Sequence, residues 1–182
     1  GLVPANPVEG IRPPKAPKPL PKALSVQQAV ALAEHRTEHS SPALAARDHA
    51  IAELLYGCGM RIGELMGLDV QATAAVKSAA NNAARGWIDA ADATAHVLGK
   101  GSKRRSLPLG APALAALQDW LVQRATLARA DEPALFVSQR GTRLSANQLR
   151  LRLQTMAQQS GLPTRVHPHM LRHSFASHLL QS

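Results

Sequence analysis

Three short segments in the middle of the chain limit its fold more than any other feature. Gly86 to Ala90 (GWIDA), Thr94 to Gly99 (TAHVLG) and Arg104 to Gly110 (RRSLPLG) alternate apolar and polar residues and are divided by turn formers. That is the pattern of half-buried strands, not of helix. It predicts a small three-stranded antiparallel sheet whose second turn is Gly99-Lys100-Gly101-Ser102-Lys103. The glycines there allow a tight backbone and hold two lysines at the tip.

The rest of the chain reads mainly as helix. Ser25 with Gln28 forms a capping box before AVALAEH, and Ser41-Pro42 opens an apolar-periodic stretch that runs through Tyr56. Gly57-Cys58-Gly59 stops it, and a short helical turn carries Arg61 to Leu68. APALAALQDWLVQRATLA is a further helix, followed by the short segment ALFVSQRG. Ser145 caps ANQLRLRLQTMAQQ through Gln148, and a last helix begins near Pro168 and runs to the end. Gln71 to Arg85 is Ala-rich and poorly patterned, a variable loop with some helix. From Asn6 to Pro21 closely spaced prolines among basic residues favour extended backbone. The expectation is an α+β fold, mainly α-helical with a small sheet. Residues 1–22 are expected to be an interdomain linker, with a disordered tail the alternative that composition leaves open, and 23–182 one domain.

Charge then narrows the partner. Lys and Arg number 21 against 12 Asp and Glu, a net charge of +9, which favours a polyanion: DNA, RNA or anionic lipid. Aromatic residues are only 3% of the chain, little material for stacking single-stranded bases, so duplex backbone fits better. Cys58 is the one cysteine, so no disulfide framework or cysteine metal site can form within one chain, as suits a reducing cytoplasm. No apolar run reaches membrane-spanning length, and GLVPANPVEG lacks the regions of a signal peptide.

Three motifs could carry chemistry. His169 and Arg172, in HPHMLRH, lie three apart on a first helical turn and can address one ligand, at a helix end that favours anions. Surface polarity is the ordinary reading of such a pair taken alone. His169 and His173 lie four apart, but no third ligand accompanies them and HExxH is absent, so no metal is expected. Arg61, in GMRIGELMGL, begins a buried-looking helix where Glu64 on the same face can pair with it, whether or not it also binds phosphate. Lys100 at the hairpin tip is either a surface lysine or one that reaches into a groove or toward a leaving oxygen. GKGSK lacks the spacing of a nucleotide-binding P-loop, so ATP is set aside.

The order of these motifs is more specific than any one of them. Arg61 within GMRIGELMGL, Lys100 within GKGSKRRSLPLG, then HPHMLRHSFASHLL resembles the tyrosine recombinase (phage integrase) family. The likeness extends from the proline-rich linker through ALFVSQRG to the final helix, and is greatest to the XerC branch of the XerC/XerD type. It implies a catalytic domain in which a tyrosine attacks the scissile DNA phosphate, giving a 3'-phosphotyrosyl link and a free 5'-hydroxyl. Arg61 and Arg172 would then clamp the non-bridging oxygens and His169 would add a hydrogen bond. Lys100 would protonate the leaving 5'-oxygen, with Lys103 the alternative. Glu64 would orient Arg61, His173 would pack or support its helix, and no cofactor would be needed.

The family's second histidine or tryptophan and its tyrosine are expected beyond Ser182, because Tyr56, the one tyrosine of the sequence, falls where the family packs its core. The resemblance further implies a double-stranded dif-like site, a heterotetramer with an XerD-like partner and activation by an FtsK-type translocase. The 182 residues alone would be monomeric and inactive. A phage- or integron-type integrase and a non-catalytic duplex DNA-binding module are the competing readings.

Overall fold

The computed structural model describes residues 23–34, 41–72, 86–99, 101, 103–162 and 166–180. Local capping starts the first two helices where the sequence expects them. Before α1 (Val26–Glu34), the Ser25 amide donates to Gln28 Oε1 at 3.0 Å and the Gln28 amide to Ser25 Oγ at 3.2 Å. Before α2 (Pro42–Gly57), Ser41 Oγ accepts from the Leu44 amide, and Pro42 occupies the first turn, where no amide partner is needed.

α2 is buried on most of its circumference, through Ala43, Ala46, Ala50, Ile51, Ala52, Leu54 and Leu55. Its alanines let neighbours approach closely, while each fully buried Leu or Ile contributes about 1.5–3 kcal/mol. Arg47 and Asp48 are buried with it and pair with each other at 2.8 Å. Asp48 also accepts from Arg152, and Arg47 Nη1 donates to the Val137 carbonyl at 3.0 Å. Both buried charges are thus hydrogen-bonded, as burial demands.

The turn after α2 depends on Gly59. Its φ is +59°, and a Cβ there would lie 2.4 Å from Phe175 Cδ1, so only glycine takes this backbone with the aromatic ring so close. The chain then enters α3 (Ile62–Met66).

Four strands follow: β1 (Leu68–Asp69), β2 (Gly86–Asp89), β3 (Thr94–Leu98) and β4 (Arg104–Pro108), ordered β1-β2-β3-β4. β2, β3 and β4 pair antiparallel, as the alternating segments predict. β1 is a correction, because it pairs parallel to β2, with Leu68 opposite Gly86 and Asp69 opposite Trp87. The sheet is therefore mixed and four-stranded. A two-residue strand is too short to alternate visibly, and Leu68 reads from sequence as the end of the preceding helix. Here the Leu68 carbonyl accepts from the Leu135 amide at 2.8 Å, and Asp69 bridges to Ala134. Tertiary neighbours thus make this strand.

The remaining helices are α4 (Ala111–Arg124), α5 (Ala146–Gln159) and α6 (Pro168–Leu179). Ser145 and Gln148 make the expected reciprocal cap of α5 at 2.9 and 3.2 Å. Trp120 on α4 is fully buried, stacks on Phe136 and donates its indole N–H to the Leu135 carbonyl at 2.9 Å. α6 is held to the start of the domain by Ser174, whose Oγ accepts from the Leu24 amide at 2.9 Å and has the Met170 carbonyl at 2.8 Å and the Leu24 carbonyl at 3.1 Å as acceptors for its one proton. The expected linker, most of the Ala-rich loop, and Lys100 and Ser102 of the hairpin turn lie outside the described residues. Among the described residues, no helix is long and apolar enough to cross a membrane.

Candidate active site

Arg61 is the residue before α3, in extended conformation with φ −76° and ψ 149°. Its amide donates to Glu64 Oε2 at 2.8 Å, and its Nη1 to Glu64 Oε1 at 3.1 Å. The local pairing expected from the i, i+3 spacing is therefore present. A second arginine reaches the same carboxylate from the sheet. Arg105 Nη2 lies 2.9 Å from both Glu64 oxygens.

The Glu64 side chain is only 4% exposed, against 48% for Arg61 and 39% for Arg105. Burial pushes its carboxyl up. The Arg61 amide, together with the hydrogen bond and charge of Arg105, outweighs burial and holds it below the ordinary carboxylate value.

Arg172 completes the cluster from α6. Its Nη1 is buried with no hydrogen-bond partner among the described residues. Burial first, then the positive charge of Arg61 and to a lesser degree of Arg105, holds its guanidinium below the ordinary value, with Glu64 opposing. Arg61 and Arg105 thus share one carboxylate, and the Arg172 guanidinium, close enough to feel their charge, keeps one donor open among the described residues. Planar guanidinium forks suit the oxygens of phosphate, and excess positive charge around a desolvated donor favours a bound oxyanion.

Beside the cluster opens a cavity of about 680 Å³, lined by Arg105, Arg172, Gly59, Leu107 and Phe175 among others. The Gly59 turn, between α2 and α3, packs on Phe175 of α6.

The other expected residues are placed less completely. His169 is exposed on the first turn of α6, behind His167 and Pro168. Lys100 lies outside the described residues, but the base of its hairpin is closed by the Gly99 amide on the Lys103 carbonyl at 2.9 Å. A Cβ on Gly99 would stand 3.8 Å from Glu64 Oε1, so this hairpin root lies over the shared carboxylate. Lys103 is exposed. His173, expected to pack or support its helix, is exposed too, because the buried stripe of α6 runs through Met170, Leu171 and Ser174. Tyr56 is half-buried, with its hydroxyl 3.0 Å from His178 Nδ1, a contact that ties α2 to α6.

Arg105 is the residue that reading the sequence missed. Alternation along β4 was the available signal. Arg105 points inward to Glu64, whereas Arg104 and Ser106 face outward, over the Trp87 ring and against His96.

The chain is a helical domain with a small mixed sheet, in which two arginines are anchored on one carboxylate and a third keeps a buried donor open among the described residues, an arrangement suited to an oxyanion. The chain belongs to the phage integrase family, whose model matches residues 22–182.

Among its relatives, the tyrosine recombinase XerC of Ralstonia pickettii (strain 12J) is 50% identical over 99% of this chain and 55% of the relative. The tyrosine recombinase XerC of Alcanivorax borkumensis is 45% identical over all of this chain and 54% of the relative. The chain therefore spans about half the length of the curated relatives it matches. Among solved structures, the XerA recombinase superposes with a TM-score of 0.70 at 29% identity, over 93% of this chain and 53% of that one. XerH bound to a palindromic difH substrate, in a post-cleavage complex, superposes with a TM-score of 0.66 at 25% identity, over 89% and 43%. The fold is that of a tyrosine recombinase catalytic domain.

Proposed function

We propose that this chain is the phosphate-holding part of an XerC-like site-specific recombinase that cuts and rejoins DNA strands through a 3'-phosphotyrosyl intermediate. The observation that carries this reading is the buried Arg172 Nη1, without a partner among the described residues and within the electrostatic reach of Arg61 on its Glu64 anchor. Arg61 and Arg172 hold the two non-bridging oxygens as charge grows on the pentacoordinate phosphorus, and His169 adds a hydrogen bond. A tyrosine oxygen bonds to phosphorus and the bond to the 5'-oxygen breaks. Lys100 delivers the proton that the departing oxygen takes up. Reversal by a partner strand's 5'-hydroxyl expels the tyrosine, so bond energy is conserved and no nucleotide is consumed.

The Tyr56 hydroxyl lies 3.0 Å from His178 Nδ1, between α2 and α6, and is not assigned the attack. Residues 1–22, proline-rich and basic, serve as a linker between this domain, 23–182, and one that clamps DNA from the other side. The substrate is a dif-type duplex site, resolved in a heterotetramer with an XerD-like partner under an FtsK-type translocase, as in chromosome dimer resolution in the cytoplasm. DNA-bound XerH among the structural neighbours supports the duplex substrate. The excess of basic residues supports it as well.

The test has two arms. The 182-residue chain is expected to bind duplex DNA weakly, with affinity falling steeply as salt rises, and to form no covalent adduct. The full-length protein is expected to form an adduct on a nicked suicide duplex. An adduct on the 182-residue chain, or none on the full-length protein, overturns the reading.

A further inference from the structure

The Glu64 carboxylate is divided between two elements 41 residues apart in sequence, α3 and β4. Arg61 takes it from one side through its amide and Nη1, and Arg105 takes both oxygens from the other through Nη2. The root of the hairpin carrying Lys100 lies against the same carboxylate at Gly99. Pairing between β3 and β4 continues from Thr94↔Pro108 to Leu98↔Arg104, directly below that hairpin turn. Nothing in the family assignment gives Arg105 a task.

We propose that Arg105 is a positioning residue for strand cleavage. It fixes Glu64 from the β4 side, so that Arg61 is aimed at the phosphate. This rests on the recombinase reading above. Arg105 acts through Glu64, and its remaining donors are not required to touch DNA.

The geometry has an electrostatic consequence. Among the described residues, the charged groups that act on Glu64 are Arg61 just before α3 and Arg105 from β4, with Arg172 of α6 coupled to it by charge. Burial alone would raise the carboxyl. With Arg105 removed, burial is opposed mainly by Arg61, so the Glu64 pKa rises. A protonated Glu64 loses its charge-assisted hold on Arg61. The sign follows: cleavage by the wild type stays indifferent to Glu64 until pH falls below the ordinary carboxylate range, whereas without Arg105 the loss begins at higher pH.

The experiment uses the full-length protein and single-turnover cleavage of a suicide duplex across pH, with duplex affinity measured in parallel. Arg105→Gln is expected to slow cleavage about tenfold or more while changing the Kd less than about threefold. The acid limb of its profile should move upward, and Arg105→Lys should recover part of both effects. In a Glu64→Gln background, adding Arg105→Gln should cost little further, because the two residues act as one unit. Equal losses in cleavage and affinity, an unmoved acid limb, or additivity with Glu64→Gln would each overturn the proposal.

Titration of the Glu64 carboxyl by 13C NMR in wild type and Arg105→Gln separates the two levels. Absence of cleavage by the wild type sinks the recombinase reading. An unshifted Glu64 titration in Arg105→Gln sinks the positioning role, whatever the wild type does.

Discussion

Replacing Arg172 with methionine should stabilise the domain while destroying its site. Methionine keeps the unbranched apolar stem and removes only the guanidinium. That guanidinium carries a buried Nη1 without a partner among the described residues and feels the charge of two other arginines. An unpaired buried donor costs about 1–3 kcal/mol. The side chain as a whole is only half-buried, so solvent screens the repulsion from Arg61 and Arg105, and the gain belongs at the low end, about 1 kcal/mol. For a domain of this size, that corresponds to a rise in Tm of about 2–4 °C. The assay is thermal and urea unfolding of wild type and Arg172→Met, each with and without inorganic phosphate. Phosphate should stabilise the wild type more than the variant, because a ligand that binds only the folded state raises its stability by mass action. A variant less stable than wild type, with the same response to phosphate, would refute the reasoning and make Arg172 a packing residue.

Two further outcomes follow from local geometry. Gly59→Ala forces a left-handed φ on alanine and drives its Cβ into Phe175, so urea unfolding should show a loss of at least about 2 kcal/mol. Phe175→Leu in the same chain should recover part of it, and a neutral Gly59→Ala would show that the turn can relax. Cys58 is buried, with its thiol pushed up to about 11, so in the native protein it should react far more slowly with iodoacetamide at neutral pH than after unfolding. Equal rates would place it at the surface.

Local interactions were legible in the sequence, and long-range ones were not. The capping boxes at Ser25 and Ser145, the glycine stop after Tyr56 and the pairing of Arg61 with Glu64 all link residues within one turn, and all stand in the fold. β1 escaped notice because its partners come from Gly86–Trp87 and from Ala134. Nothing in two residues announces them. Arg105 escaped for the same reason, since its carboxylate lies 41 positions away. His173 looked like a supporting residue from its place in a motif, but the helical period sets it off the buried stripe of Met170, Leu171 and Ser174. The arginine pair itself was readable only through the order of motifs, because neither HxxR nor a single arginine before a short helix is distinctive alone.

The central claim is that Arg61 and Arg172 stabilise a phosphoryl transition state and do not merely grip DNA. The most direct measurement is covalent adduct formation by the full-length protein on a nicked suicide duplex, compared with duplex affinity for Arg61→Ala and Arg172→Ala. Adduct formation should fall about a hundredfold or more in each variant while the Kd changes less than about tenfold. Loss of affinity equal to the loss of cleavage, or full adduct formation by either variant, would contradict that claim.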